Sequence, residues 1–178
     1  MKNYTWPKYS LNFNLIIFRL NLHPSCIWLG FSTGILPRIF NFPWWNYCAG
    51  FYIGFGGILI IFAHELGHAF TAKLCSLKVY GISLSGFGGI CVTSPPITLP
   101  NKLLYFSGGI IFQTAILFLY QSIKLPNGFS PPFIIESNRF VFLYLNSIKI
   151  IINLLPIMNT DGMNIFRAMR DKFNKNLQ

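Results

Sequence analysis

The sequence predicts an α-helical integral membrane protein with about four transmembrane spans and a small β-hairpin or sheet at the cytoplasmic face. Three observations lead there. The 178-residue chain is 53% hydrophobic and only 10% charged, whereas ordinary soluble domains carry about 25% charged residues. Long apolar runs recur, with the bases mostly between them, and crossing a bilayer core takes about 20 such residues. Between two of these runs the pattern changes to period-two alternation around a glycine-rich turn, the signature of paired strands. A single membrane-embedded unit over residues 1–178 is the expected organisation.

The elements follow in order. Residues 11–22 alternate loosely and contain β-branched and aromatic side chains, which suits a strand or an interfacial segment. His23-Pro24 then opens a marginal first span, about 24–42, interrupted by Pro37 and Arg38. The second span, about 47–71, is an apolar run that ends at Lys73 and holds two histidines and a glutamate in its last third. Val79 to Ser85 and Ile90 to Thr93 alternate on either side of Gly86-Phe87-Gly88-Gly89, predicting a β-hairpin over 79–93 that Pro95 and Pro96 end. The third span covers about 102–121, where Ser107-Gly108-Gly109 offers a small-residue surface for close helix approach. A Pro- and Gly-rich loop leads to a fourth span, about 139–157, which breaks at Pro156. Residues 163–178 form a basic tail, read as an amphipathic or short exposed helix.

The net charge of +10 reflects 4 acidic residues against 14 Lys and Arg. The bases are scattered between apolar segments, so membrane topology explains them better than nucleic-acid binding does. With four spans, Lys2, Lys8, Arg19, Lys73, Lys78, Lys102, Arg167, Arg170, Lys172 and Lys175 share one side, and Arg38, Lys124 and Arg139 the other. The positive-inside rule then places both termini and the hairpin in the cytoplasm of a multi-pass cell-membrane protein. Cys26, Cys48, Cys75 and Cys91 show no CxxC spacing and read as free thiols.

Chemistry concentrates in His64-Glu65-Leu66-Gly67-His68, inside an apolar helical run. Residues four apart share a helix face, so His64 and His68 can reach one metal ion, and imidazole suits zinc. Glu65 projects to one side, where it can touch a zinc-activated water as a general base without ligating the metal. Two of the chain's 3 His and one of its 4 acids fall in this pentapeptide. Charged groups in a membrane are costly, so chance placement is a poor explanation.

A catalytic zinc wants a third protein ligand. Asp161-Gly162 alone reads as a turn, yet Asp161 sits at the same cytoplasmic end of its span as the histidines. Glu136 falls on the far side and Asp171 in the basic tail, which leaves Asp161 as the candidate beside Glu65.

With these two motifs the chain resembles the site-2 protease family of zinc intramembrane metalloproteases. The resemblance rests on His64-Glu65-Leu66-Gly67-His68 and on Asn153-Leu154-Leu155-Pro156 followed by Asp161-Gly162, supported by Gly88-Gly89 in the hairpin and by His23-Pro24 before the first span. It implies zinc held by His64, His68 and Asp161, with Glu65 catalytic and Asn153 an active-site polar group. The chain departs from the family in having Asn159 where a proline often stands, and Gly108-Gly109 with Gln113 where Gly-Pro and a later Asn are common.

The expected function is zinc-dependent intramembrane hydrolysis of peptide bonds in membrane-tethered proteins or peptide precursors. The bilayer and a membrane protein or peptide are the expected partners, without nucleic acid. The alternative is an inactive membrane accessory protein for immunity, export or transport on the same scaffold, which degraded ligands would favour. Asn153 can serve an oxyanion or substrate backbone, or simply bind a neighbouring helix. The hairpin edge at Gly88 and Gly89 can hold an unwound substrate by strand addition. Asn146, Lys149 and Asn153 form one polar stripe on the fourth span, and Lys149 can meet a substrate carboxylate or snorkel outward.

Overall fold

The computed structural model describes residues 10–14, 18–39, 47–86, 88–96, 98–122, 139–157 and 159–175. Two short strands come first, β1 (Leu11–Asn14) and β2 (Arg19–Leu22), followed by helices α1 (Ser25–Ile39) and α2 (Tyr47–Leu74). Strands β3 (Val79–Ser85) and β4 (Gly88–Thr93) lead into α3 (Leu99–Ser122). A π-helical segment, Phe140–Leu145, continues into α4 (Asn146–Leu154), and α5 (Asp161–Lys175) closes the described chain. The expected loop around Pro126 and the residues 40–42 at the end of the first span lie outside the described residues.

The expected hairpin is half of a four-stranded sheet in the order β1-β2-β3-β4. Strands β1 and β2 pair antiparallel, as do β3 and β4, whereas β2 runs parallel to β3 with Leu20 opposite Ile82. That parallel pairing needs the crossover that α1 and α2 provide. Ile82, Leu84 and Cys91 pack with Cys26 of α1 and Ala69 of α2 into a buried cluster, so the sheet is fastened to the lower half of α2. His23 caps α1: its Nδ1 accepts from the Ser25 backbone N–H at 3.2 Å, and Pro24 occupies the first helical turn, where a missing N–H costs nothing.

Two helices are long and apolar enough to cross a membrane, Cys48–Leu74 and Leu99–Ser122. At 1.5 Å per residue α2 is about 42 Å long and α3 about 36 Å, both longer than a hydrocarbon core of about 30 Å. The other two expected spans are shorter as helices: α1 has 15 residues, and the apolar segment Phe140–Leu154 matches it. The helix after Asp161 begins earlier than the basic tail foreseen from residue 163.

Helix α2 is the centre of the molecule, touching α1, α3, β3, β4 and the π-helical segment. Its crossing with α3 is built on glycine. A methyl group at Gly67 would strike the Gly108 carbonyl oxygen, and one at Gly108 would strike Thr71 Oγ1. The backbones therefore approach without side chains between them, as small residues allow in membrane helices. Helix α2 ends in a Schellman motif. Ser76 is left-handed at φ 57°, Leu77 N–H donates to the Ala72 carbonyl at 2.8 Å, and Ser76 N–H to the Lys73 carbonyl at 3.0 Å. This stop turns the chain at once into β3.

Candidate metal centre

Three side chains from two distant segments converge below the glycine crossing. His64 and His68 lie one turn apart on α2, 3% and 5% exposed. Asp161 arrives from the other end of the chain at the first position of α5. Its placement follows from the turn before it. Leu155 is extended (ψ 139°) ahead of Pro156, as a residue before proline prefers. Asn159 is left-handed at φ 68°, a conformation open to Asn and closed to proline. The departure from proline at this position therefore goes with a different turn. Thr160 caps α5, its Oγ1 accepting from Met163 N–H at 3.3 Å while its hydroxyl faces the Leu155 and Ile157 carbonyls at 2.6 and 2.7 Å. Gly162 completes the arrangement, because a Cβ there would run into the Leu154 carbonyl.

The ligand atoms form a tight triangle. His64 Nε2 and His68 Nε2 are 3.1 Å apart, and Asp161 Oδ2 lies 3.1 Å from the first and 3.3 Å from the second. Tetrahedral zinc with bonds of about 2.0–2.1 Å has ligand–ligand edges of about 3.3 Å. The outer ring nitrogens fix the tautomers. His64 Nδ1 is 2.9 Å from Gln113 Oε1, and His68 Nδ1 is 2.8 Å from the Tyr105 carbonyl oxygen. Gln113 Nε2 faces the Ile60 carbonyl at 3.5 Å, which turns its oxygen toward His64. Both Nδ1 atoms therefore donate, and both Nε2 atoms present lone pairs. Asp161 Oδ2 is buried without a hydrogen-bond donor among the described residues. Three converging lone pairs repel unless a cation lies among them, so this donor set fits a divalent metal. Among the described residues it is the one cluster of three such ligands.

Protons are the competing occupant. When imidazolium N–H groups fill the triangle, burial pushes the Asp161 carboxyl up, but hydrogen bonds from His64 and His68 outweigh it and hold it at about 2. Asp161 thus remains a carboxylate above about pH 2. Its contribution to the cluster, present above the ordinary value of about 3.9, is lost only as pH falls through that lower value.

Glu65 is 5% exposed and stands beside the triangle, held between α2 and the sheet. A Cβ at Gly89 would come within 2.5–2.9 Å of Glu65 Cγ, Cδ and Oε1, so β4 can lie against the carboxylate only with glycine there. Gly109 does the same for His64, whose Cε1, Nδ1 and Nε2 crowd the place of its missing Cβ. Tyr105 hydroxyl donates to the Cys91 carbonyl at 3.1 Å, joining α3 to β4.

These groups open onto a cavity of about 320 Å³ lined by His64, Glu65, His68, Asp161, Gly88 and Gly89, with Lys149 and Asn153 from α4. Asn153 is buried, and its Nδ2 lacks a hydrogen-bond partner among the described residues. The structure thus brings all the candidate site residues together: His64, Glu65, His68, Asp161, Asn153, Gly88 and Gly89. Cys91 shares the wall, where burial pushes its thiol up to about 12, and it is not one of the three converging ligand residues.

Gln113 and Tyr105 were not foreseen as supports. Gln113, fully buried in an apolar helix and four residues after Gly109, carried a usable signal; Tyr105 acts through its backbone carbonyl and carried none. Gln113→Ala is expected to weaken metal affinity about 10–100-fold, the usual cost of losing a histidine's outer partner. Gln113→Glu keeps an acceptor and should recover most of it. Competition with a chromophoric chelator measures both, and equal affinity in all three proteins would remove Gln113 from the centre.

No protein-family model and no curated protein matches this sequence. Among solved structures the chain is similar to a site-2 protease from Methanocaldococcus jannaschii, with a TM-score of 0.62 and 22% identity over 92% of this chain and 73% of that one. The sheet-fastened helix pair and its surroundings therefore place the chain in a known architecture: it has a site-2 protease-like fold.

Proposed function

We propose that the chain is a zinc-dependent intramembrane endopeptidase that hydrolyses peptide bonds in membrane-tethered proteins or peptide precursors. The observation that carries this is the triangle of three buried lone-pair atoms with Glu65 beside it, facing one cavity. His64, His68 and Asp161 would hold the zinc ion. When bound, that ion acts as a Lewis acid and lowers the pKa of water towards about 7. Glu65 takes the proton from the attacking water and returns it to the leaving amine. Asn153 turns its unpartnered amide N–H groups toward the scissile carbonyl. The Gly88-Gly89 edge of β4 pairs with the substrate backbone, which must leave its helix to expose a peptide bond.

In this reading α1 and the segment Phe140–Leu154 complete four spans around α2 and α3. The sheet and α5 lie at the cytoplasmic face, on the side that Lys73, Lys78, Lys102, Arg167 and Arg170 mark. The test is a tagged, membrane-tethered peptide in vesicles carrying the protein. Inverted vesicles should release the tagged fragment and stop when an impermeant chelator is added outside. Right-side-out vesicles should be indifferent to that chelator. No fragment in either orientation, from zinc-loaded protein, would contradict the protease assignment.

A further inference from the structure

Helix α4 has two faces. Ile148, Ile151 and Ile152 are 52%, 57% and 46% exposed and form its outer surface. Asn146, Lys149 and Asn153 fall within about 60° of one another on the other side, and Asn146 and Asn153 are buried. Lys149 lines the metal cavity with Asn153, within electrostatic reach of Glu65. Its side chain is therefore directed into the cavity rather than along the apolar face toward headgroups.

Among the described residues the Lys149 ammonium has no ion-pair partner. The carboxylates of the described residues are Glu65, Asp161 and Asp171, and the ion pairs they form do not include Lys149. With a divalent ion held by two neutral imidazoles and Asp161, and with Glu65 ionised, the described groups lining the cavity would carry one net positive charge, that of Lys149. An unpaired ammonium in a low-dielectric site is costly, and an entering anion relieves that cost.

Resting on the protease reading, we propose that Lys149 is a specificity-determining residue that binds a carboxylate of the peptide substrate. Lys149 lies one helical turn from Asn153, about 6 Å along the axis. An extended peptide advances about 3.3 Å per residue. The recognised carboxylate therefore lies within two residues of the scissile bond. It belongs either to an Asp or Glu side chain or to the substrate's own C-terminus.

Three fluorescent peptides of one sequence separate these sources: one with Asp and an amidated C-terminus, one with Asn and an amide, and one with Asn and a free carboxylate. Binding is measured by anisotropy to zinc-loaded Glu65→Gln protein in nanodiscs, so that affinity is read without turnover. A carboxylate peptide should bind about 10–100-fold more tightly than the Asn amide, as a charge-assisted contact gives. Preference in the Asp arm assigns the side chain, and preference in the third arm assigns the C-terminus. Adding Lys149→Met should reduce the preference below twofold at unchanged zinc content, and Lys149→Arg should retain it. Equal binding of all three peptides, or a preference that survives Lys149→Met, overturns the proposal. The two readings fail separately. A preference that depends on Lys149 in a protein that cleaves nothing would sink the protease reading and leave this site. Equal binding of all three peptides, with equal cleavage by the wild type, would do the reverse.

Discussion

Asp161→Ala is expected to strip the protein of its metal. The substitution removes one corner of a triangle with edges of 3.1–3.3 Å and leaves two imidazoles on one helix face. Two neutral nitrogens bind zinc far less well than two nitrogens and a carboxylate, because the anion supplies both a ligand and charge compensation. The loss should exceed the factor of about 10–100 expected for an outer partner such as Gln113. Zinc retained after purification, counted per protein by atomic absorption, should fall from near one to near zero. His64→Ala and His68→Ala should behave alike. The effect does not depend on α5 unfolding, since Thr160 caps that helix independently. Full zinc in the Asp161→Ala protein would mean that another group supplies the third ligand.

Glu65→Gln should have an equally large effect of another kind. The carboxylate stands beside the triangle and is not one of its three atoms. Glutamine fits the space against Gly89 but takes no proton from water at neutral pH. General acid–base groups contribute about 10²–10⁴-fold, so kcat should fall by that factor while KM and zinc content stay near wild type. Steady-state kinetics with zinc assayed in parallel checks this. An unchanged kcat would remove Glu65 from the proton path.

The distinction between these two variants tracks what was legible in the chain. His64, Glu65 and His68 were readable because helical spacing is local: four residues make one face whatever the rest of the fold does. Asp161 was reachable by elimination, since the chain has so few acids. The turn that delivers it was not, because Asn159 at positive φ and Gly162 against Leu154 are consequences of how α4 and α5 meet. The β3–β4 hairpin was written in period two. The parallel pairing of β2 with β3 joins segments about 60 residues apart, and no local pattern announces it. Gln113 is marked in the sequence as an amide in the apolar middle of a helix, but its partner, His64 Nδ1 at 2.9 Å, follows only from the crossing of α3 and α2. Lys149 had two open roles; the exposed isoleucines on the far side of α4 and its place in the cavity wall are what the proposal of a carboxylate contact builds on.

The central claim is that this metal centre hydrolyses peptide bonds with Glu65 moving the proton. It is tested most directly by loading wild type and Glu65→Gln with zinc to the same stoichiometry and supplying a tethered peptide in ¹⁸O-labelled water. The account expects wild type to give two fragments, the new C-terminus carrying one ¹⁸O, and Glu65→Gln to give almost none. Equal fragment yields from the two proteins, or no fragment from zinc-loaded wild type, would contradict it.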